Sequence, residues 1–548
     1  MTSHDEATTF KVNVRLVLVR VVIHDNQGRA VGNLHKEDFQ LFDNGKPQVI
    51  SQFAVEQPGT QVVREQKTAA SQTGENTPSR IPDVAERFIV YLFDDVHLQT
   101  SDLLPVRDAA VRALGSLQPY DRAAIFTTSG QGNLDFTDDR AQLRAAVLRI
   151  QPRPVFSAPS HACPYITYYM ADQISNQHDP DTLQAVAKGA FHCTTGLDPD
   201  SPQGGPQFRA QIDRWRQMAE SASMSELGIG ESESRLALGA LKDAIQRLTA
   251  SPGPRSIVLV SPGFLTPMLQ YDLTDVIDKA LHAGVIVDTL DARGLYVPMI
   301  GGDASGENAP DMMGAPEEGL YAIDAASAND SVLATLADAT GGIFVHNDND
   351  LSEGLRQMSA APESSYLLGF SPQNLKYDGS FHTLSVKLTH CAECRIRARK
   401  GYFAPKQAPN AEEEVKQQTL ETLFSQVEMH DLPIDLHTQF FKVTDLDAKL
   451  SVLVHVDVKR LRFRKTEGRN NNNLTVVTGL FDHNGSFVTG NQKIIEMRWK
   501  DETLEHKLDR GITVKTSFDV KPGSYLVRLV VRDAEGMLTA ENGAIEIP

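Results

Sequence analysis

Two patterns of apolar and polar positions divide this chain. At both ends apolar residues alternate with polar ones, the period-2 mark of half-buried strands, as in VNVRLVLV near the start and AKLSVLVHVDV over 448–458, where Leu450, Val452, Val454, Val456 and Val458 fall on one face. Near the start, FQLFDNGKPQVISQFAV places Asn44-Gly45, a tight-turn pair, between two such runs. From residue 86 the pattern changes. RFIVYLF, RAAIFTTS, RSIVLVSPG, VIVDTLD and IFVH read as strands, with a short one in NLDFT. LLPVRDAAVRALGSL, DDRAQLRAAVLRI, LALGALKDAIQRL, LTDVIDKALHAG and SVLATLADATGG read as helices, Asp138 and Asp139 standing at one positive N-terminus. Alternating strands and helices of this kind predict a doubly wound, largely parallel sheet.

The expected fold class is therefore α/β plus all-β. Strands over 8–57 precede a polar linker over 58–85, and an α/β domain spans 86–350 with an insertion over 151–230. Strands over 363–405 (SYLLGFS, FHTLSVKLT, RIRARKGYF) are expected to complete one sandwich with the first set, because neither set has enough strands to protect its own edges. A helical connector over 406–430 leads to a second, immunoglobulin-like sandwich over 431–548, in which EGRNNNN, with Asn470 to Asn473, reads as a loop between strands.

FIVYLFDD, DRAAIFTT, LDFTDDRAQLRAAVLRI and LADATGGIFVHNDND together resemble a von Willebrand factor type A (VWA) domain. With the flanking blocks VRLVLVRVVIHDNQGRAVGNLHKEDFQLFDNGKPQ and SYLLGFSPQNLKYDGSFHTLSVKL, the chain resembles an acidobacterial-type family of VWA-domain proteins over about residues 8–405. The resemblance implies an adhesion-type metal site built from Asp-x-Ser-x-Ser, a distant Thr and an Asp after the fourth strand. Mg²⁺ takes such hard oxygen ligands in near-octahedral array. Here Asp94 matches the first position, while Val96 and Leu98 replace both serines. Ser232 or Ser234 in ESESR are weak substitutes for the Gly-x-Thr, and Ser261-Pro262-Gly263 stands in place of Asp-Gly. The implied site is degenerate.

Ligand sites in open α/β sheets gather at the carboxyl ends of the strands, which should collect Asp94, Asp95 and His97, Thr128 and Ser129, Ser261 and Asp291. Asp94, Asp95, Ser129, Ser261 and Asp291 are the oxygen donors through which Mg²⁺ or Ca²⁺ would be held; no cofactor is otherwise implied. The favoured alternative has Asp94 and Asp95 capping loop amides. Asp288, deeper in its strand, reads as a buried carboxylate bonded to backbone.

Charge narrows the partners. Lys and Arg number 53 against 71 Asp and Glu, a net charge of -18, with no basic stripe for nucleic acid. No run reaches the ~18 apolar residues of a membrane span. MTSHDEATTFKVNV lacks the layout of a secretory signal, yet the loop-rich multi-domain pattern points to export. Four cysteines support that reading. Cys163 and Cys193 bracket part of the insertion and are expected to form a disulfide; zinc held by His161, Cys163, His192 and Cys193 is the alternative. Cys391 and Cys394 are expected to clip a hairpin.

No Gly-x-Ser-x-Gly, Walker loop or dinucleotide fingerprint occurs, so no catalytic residue is assigned. The expected function is a non-enzymatic protein-binding or adhesion module of undetermined oligomeric state. The alternatives are a metal-dependent hydrolase using Asp94, Asp95, His97 and Asp291, and an assembly subunit that pairs through strand edges.

Overall fold

The computed structural model describes residues 17–27, 29–56, 84–155, 163–295, 315–360, 364–372, 376, 378–391, 393–404, 411–425 and 428–548. Two compact units account for the chain. One contains Phe88–Leu248 and Arg255–Ala360; the other contains Met1–Arg87, Thr249–Pro254 and Ala361–Pro548.

The second unit begins with β1 (Val17–His24), β2 (Phe39–Asp43), β3 (Lys46–Gln48) and β4 (Ile50–Glu56). Asn44 and Gly45 have φ of 47° and 75°, the left-handed pair that a two-residue hairpin requires between β2 and β3.

The first unit is a six-stranded sheet. Its strands are β5 (Arg87–Phe93), β6 (Asp121–Thr127), β7 (Leu134–Thr137), β8 (Arg255–Ser261), β9 (Val285–Asp291) and β10 (Phe344–Val345), in spatial order β10-β9-β8-β5-β6-β7. β5, β8, β9 and β10 run parallel, and β7 closes one edge antiparallel to β6. Every residue of β5 is buried, which is why RFIVYLF is a continuous apolar run: helices cover both faces of a central parallel strand. On one face pack α1 (Thr100–Gly115), α2 (Arg140–Arg149) and, later in the chain, the helix Leu351–Ser359, which carries Leu351, Leu355 and Met358 into the same core. That helix extends the unit ten residues past the expected end at 350, to Ala360.

The insertion is helical: α3 (Tyr168–Ser175), α4 (Pro180–Thr195) and α5 (Gly204–Ala210) lead into α6 (Ile212–Thr249). The sequence placed an insertion boundary at 230, but α6 runs through it as one helix of 38 residues. Its buried stripe between the two ends is built from Ala219, Ser223, Gly230, Ser234 and Ala237, residues too small to register as an amphipathic signal. Close packing explains the glycine, since a Cβ on Gly230 would lie 2.2 Å from the Tyr168 ring. The first half of α6 supplies Trp215 and Ala219 to a separate small core with Met170, Val186, Phe191 and Phe208. Cys163 and Cys193 are bonded across this insertion, S–S 1.93 Å. The zinc alternative is overturned by that bond, which uses both sulfurs, while His192 Nδ1 is paired with the Leu197 carbonyl and His161 lies outside the described residues. The unit is completed by α7 (Gln270–His282), α8 (Ala315–Thr340) and α9, the Leu351–Ser359 helix.

After α9 the chain returns to the first set of strands. β11 (Ser365–Phe370), β12 (Phe381–Leu388), β13 (Arg395–Ala398) and β14 (Gly401–Phe403) join β1–β4 in two sheets, β13-β1-β11-β4 and β14-β12-β2-β3. Each sheet draws two strands from either side of the α/β segment, and Val19, Val21, Leu41, Tyr366, Leu368 and Leu384 fill the space between them. Cys391 and Cys394, S–S 1.96 Å, close the turn between β12 and β13.

Beyond α10 (Ala411–Ser425) lie β15 (Met429–His430), β16 (Ile434–Lys442), β17 (Ala448–Val456), β18 (Arg464–Thr466), β19 (Arg469–Asp482), β20 (Phe487–Trp499), α11 (Asp501–Arg510), β21 (Ile512–Val520), β22 (Gly523–Asp533) and β23 (Leu538–Ile547). One sheet is β16-β17-β21; the other is β15-β23-β22-β19-β18, with β20 also paired to β19, and one apolar core joins them. The asparagine run is a strand, correcting the loop expectation. Asn470 donates to Asp501 (2.8 Å) and Asn472 to the Arg462 carbonyl (2.9 Å), so neighbouring elements hold side chains that solvent would otherwise take. Among the described residues no helix is long and apolar enough to cross a membrane.

Gly342 lies between α8 and β10, where an added Cβ would sit 2.0 Å from the Val287 carbonyl oxygen. Backbone cannot yield cheaply there. Gly342→Ala is expected to destabilise the α/β unit by roughly 1–3 kcal/mol, the range for overpacking, read as a lower urea midpoint for its transition.

Candidate functional site

The buried strand β5 ends at Phe93, and the next five residues fold back on themselves. His97 N and Leu98 N both donate to the Asp94 carbonyl, at 3.1 and 2.9 Å. This turn carries the His97 ring onto the Asp94 carboxylate, Nδ1 standing 2.9 Å from Oδ1 and 2.8 Å from Oδ2. It also points Val96 and Leu98 inward, 4% and 2% exposed, so the positions that would need ligating hydroxyls serve the core instead.

Asp94 is fully buried and receives two further donors. Thr128 Oγ1, just after β6, lies 2.9 Å from Oδ1, and Ser261 Oγ, at the end of β8, donates to Oδ2 at 2.7 Å. Asp95 beside it accepts Ser129 N (2.8 Å) at Oδ1 and Ser129 Oγ (2.6 Å) at Oδ2. Thr128 Oγ1 is also 3.0 Å from Asp95 Oδ1 and accepts Val96 N at 3.2 Å, so one hydroxyl proton lies between two carboxylates. Asp94, Asp95, Thr128, Ser129, Ser261 and His97 thus form one network.

Asp291 belongs to another. It is buried at the end of β9, where Arg293 grips it through N (3.0 Å) and Nε (2.8 Å) to Oδ1 and Nη2 (2.8 Å) to Oδ2; the same guanidinium pairs with Asp330. Ser232 and Ser234 lie inside α6. Ser232 donates to the Gly228 carbonyl at 2.8 Å, and Ser234 is buried with no hydrogen-bond partner. Asp288 accepts Ile343 N at 2.7 Å, a backbone role.

Sequence reasoning missed two neighbours. Glu233 of α6 accepts Val155 N at 3.2 Å and acts electrostatically on His97, and Phe264 stacks on the His97 ring at 5.7 Å. Only a helix running through 230 would have drawn attention to Glu233. Burial works against charge on His97, but the Asp94 carboxylate, with Glu233 behind it, outweighs that and holds the imidazole pKa above its usual value. Burial likewise raises Asp94, and the His97 charge together with hydrogen bonds from His97, Ser261 and Thr128 brings it below the usual carboxylate range. Glu233 is raised, chiefly by burial.

The residues present do not fit a divalent ion. Among the described residues no group of three or more His, Cys, Asp and Glu side chains is arranged to hold a metal, and Asp94, Asp95 and Asp291 already have protein donors on both carboxylate oxygens. What the arrangement does is satisfy these carboxylates with protein donors and fix the strand ends that carry them.

No family model matches the chain, and no curated protein does. Among solved structures it is similar to a glycosyl hydrolase family 2 member from Bacteroides cellulosilyticus DSM 14838, at 9% identity and a TM-score of 0.17, over 35% of this chain and 21% of that one. It is also similar to the beta-glucuronidase of Bacteroides uniformis (13% identity, TM-score 0.14, 35% and 20% covered). The putative ApaA protein of Bordetella pertussis matches at 6% identity and a TM-score of 0.14, over 21% of this chain and 94% of that one. The chain spans about a fifth of the length of the glycosyl hydrolase it matches.

The Asp94–His97 pair gives a pH dependence whose sign follows from the two directions. A lowered Asp94 contributes stability above its unfolded value of 3.8 and loses it as pH falls through the folded value. A raised His97 contributes fully below 6.5 and loses it as pH rises through the folded value. The stability difference between wild type and His97→Gln, from urea unfolding of the α/β unit, should therefore be largest between pH 3.8 and 6.5 and shrink on both sides. Ser129→Ala removes the 2.6 Å hydrogen bond to buried Asp95 and should destabilise the same transition by roughly 1–3 kcal/mol.

Proposed function

We propose that this protein is a non-enzymatic protein-binding or adhesion module of the VWA-domain type, with a degenerate metal-ion-dependent adhesion site, related to the acidobacterial-type VWA proteins. The observation that carries the reading is the strand order β10-β9-β8-β5-β6-β7 with its single antiparallel edge, which together with FIVYLFDD and LADATGGIFVHNDND fits a VWA domain. The C-terminal sandwich, with three strands facing a larger sheet, is read as immunoglobulin-like. Two bonded cysteine pairs fit an exported protein working in an oxidising compartment.

Binding is assigned to the strand-end face of the α/β unit and to the disulfide-closed insertion. Loops at that end, such as exposed Gly130, Gln131 and Gly132 after β6, are carried on strands too well packed to shift, a rigid platform for recognition. A hydrolytic reading has one observation in its favour: Asp94 orients His97 through Nδ1 as a carboxylate orients a general base. Against it, among the described residues no nucleophilic side chain is hydrogen-bonded to the His97 ring.

The test is capture of partner proteins by the immobilised full chain from the exported fraction of its own host. Gln131→Trp, on an exposed loop at the strand-end face, should reduce recovery of a captured partner at least tenfold, while Gln118→Trp, at the opposite end of the sheet, should leave it unchanged. Equal recovery with both variants would move the binding surface elsewhere.

A further inference from the structure

Three carboxylates close the strand ends of the α/β sheet, and each is matched by protein groups. We infer that the His97 imidazole stands where this sheet edge would hold a cation, so that the cluster is a metal-independent lock and the face is used without a divalent ion. The inference deepens the function proposed above only in its last clause; the lock itself is a property of this chain whether or not a partner is found.

The geometry carries it in three steps. His97 Nδ1 is within hydrogen-bond distance of both oxygens of a carboxylate that has no solvent exposure, so an ion reaching Asp94 must first displace the ring. The ring is held in place. The turn bonds from His97 N and Leu98 N to the Asp94 carbonyl fix its backbone, and Phe264 stacks on its face. Either form of the imidazole that carries a proton on Nδ1 makes this contact, so the exclusion does not turn on titration of the ring.

Displacing the ring would still leave few protein ligands, and water to complete an ion's shell would have to enter a site with no solvent exposure. Mg²⁺ needs about six oxygens at about 2.0–2.1 Å, and Ca²⁺ six to eight. The residues on either side of His97 are Val96 and Leu98, both buried, and Leu98 packs in the core beneath the sheet. The hydroxyls left are Thr128 and Ser261, which both already donate to Asp94, and Ser129, which donates to Asp95. Finally, the other two strand-end carboxylates already accept protein donors on both oxygens. Asp95 is held by Ser129 through its amide and hydroxyl, and Asp291 by the Arg293 guanidinium, which also pairs with Asp330.

The experiment is a calorimetric titration of Mg²⁺, Mn²⁺ and Ca²⁺ into the full-length wild-type chain and into Asp94→Asn, with melting of the wild type in EDTA and in Mg²⁺. No heat above dilution, with an unchanged melting curve, is the expected result. Binding that persists in Asp94→Asn reports an ion elsewhere on an acidic protein and also leaves the inference standing. One-site binding that Asp94→Asn abolishes would overturn it. Should that variant fail to fold, Ser261→Ala keeps the carboxylate while removing a hydroxyl any ion at Asp94 would use, and an ion affinity at least tenfold weaker in it would overturn the inference equally. Partner capture that fails while the titration gives no heat would reject the proposed function alone; ion binding lost in Asp94→Asn while capture persists would reject the lock alone.

Discussion

A carboxylate with no solvent exposure at the head of a central strand is the constraint around which the α/β unit is arranged. Unpaired, a buried carboxylate carries a desolvation penalty of several kcal/mol, so Asp94 can sit there only with donors converging on it. Those donors come from separate places: Thr128 after β6, Ser261 at the end of β8, and His97 from the turn that leaves β5. The main chain adds Asp94 N to the Val260 carbonyl and Thr128 N to the Phe93 carbonyl. Satisfying one charge therefore ties the ends of three strands together, and the rigidity of the face follows from the need to solvate its buried acid.

The other unit meets the same constraint differently. Arg528, fully buried on β22, has its pKa lowered to about 9 by burial, which Glu428 and Glu541 only partly offset. It donates to Asn542 of β23 and to the Thr422 carbonyl of α10, each at 3.0 Å, which joins the helix to the sheet. In the first sandwich Asp43 accepts His382 Nδ1 at 2.9 Å and Tyr402 OH at 2.8 Å, linking β2, β12 and β14. Here the bonded strands come from opposite sides of the α/β segment. Residues 17–56 supply two strands to each sheet, and the other two of each come more than three hundred residues later. Neither stretch can cover its own apolar face alone.

Most of the fold was legible because burial writes itself into residue type. RFIVYLF is apolar throughout because both of its faces are covered, and the alternation over 448–456 survives because β17 faces a core on one side. The strand-end position of Asp94, Asp95, Ser129 and Ser261 followed from the same strand pattern. What could not be read was the partitioning within that set. Asp291 stands apart because Arg293, two residues on, turns back to grip it, a local choice that spacing does not encode. The middle of α6 was hidden for a different reason, its buried stripe from Ala219 to Ala237 being made of Ala, Gly and Ser. The asparagine run misled because its hydrogen-bond partners, Asp501 and Arg462, are invisible to local composition.

Polar strand ends can be satisfied by a bound ion or by the protein's own donors, and the two solutions make opposite demands on the turn that follows β5. An ion needs small hydroxyl residues that leave room around the carboxylate. Protein donors need a ring that reaches back and neighbours that anchor the turn, which is what His97 does between buried Val96 and Leu98. These three positions are therefore coupled. Removing His97 alone would leave Asp94 short of a donor, and replacing Val96 or Leu98 by serine alone would place a hydroxyl in an apolar core without giving an ion access to Asp94. Conversion in either direction passes through less stable intermediates, which is a physical reason for a chain that has adopted the hydrogen-bonded solution to keep it.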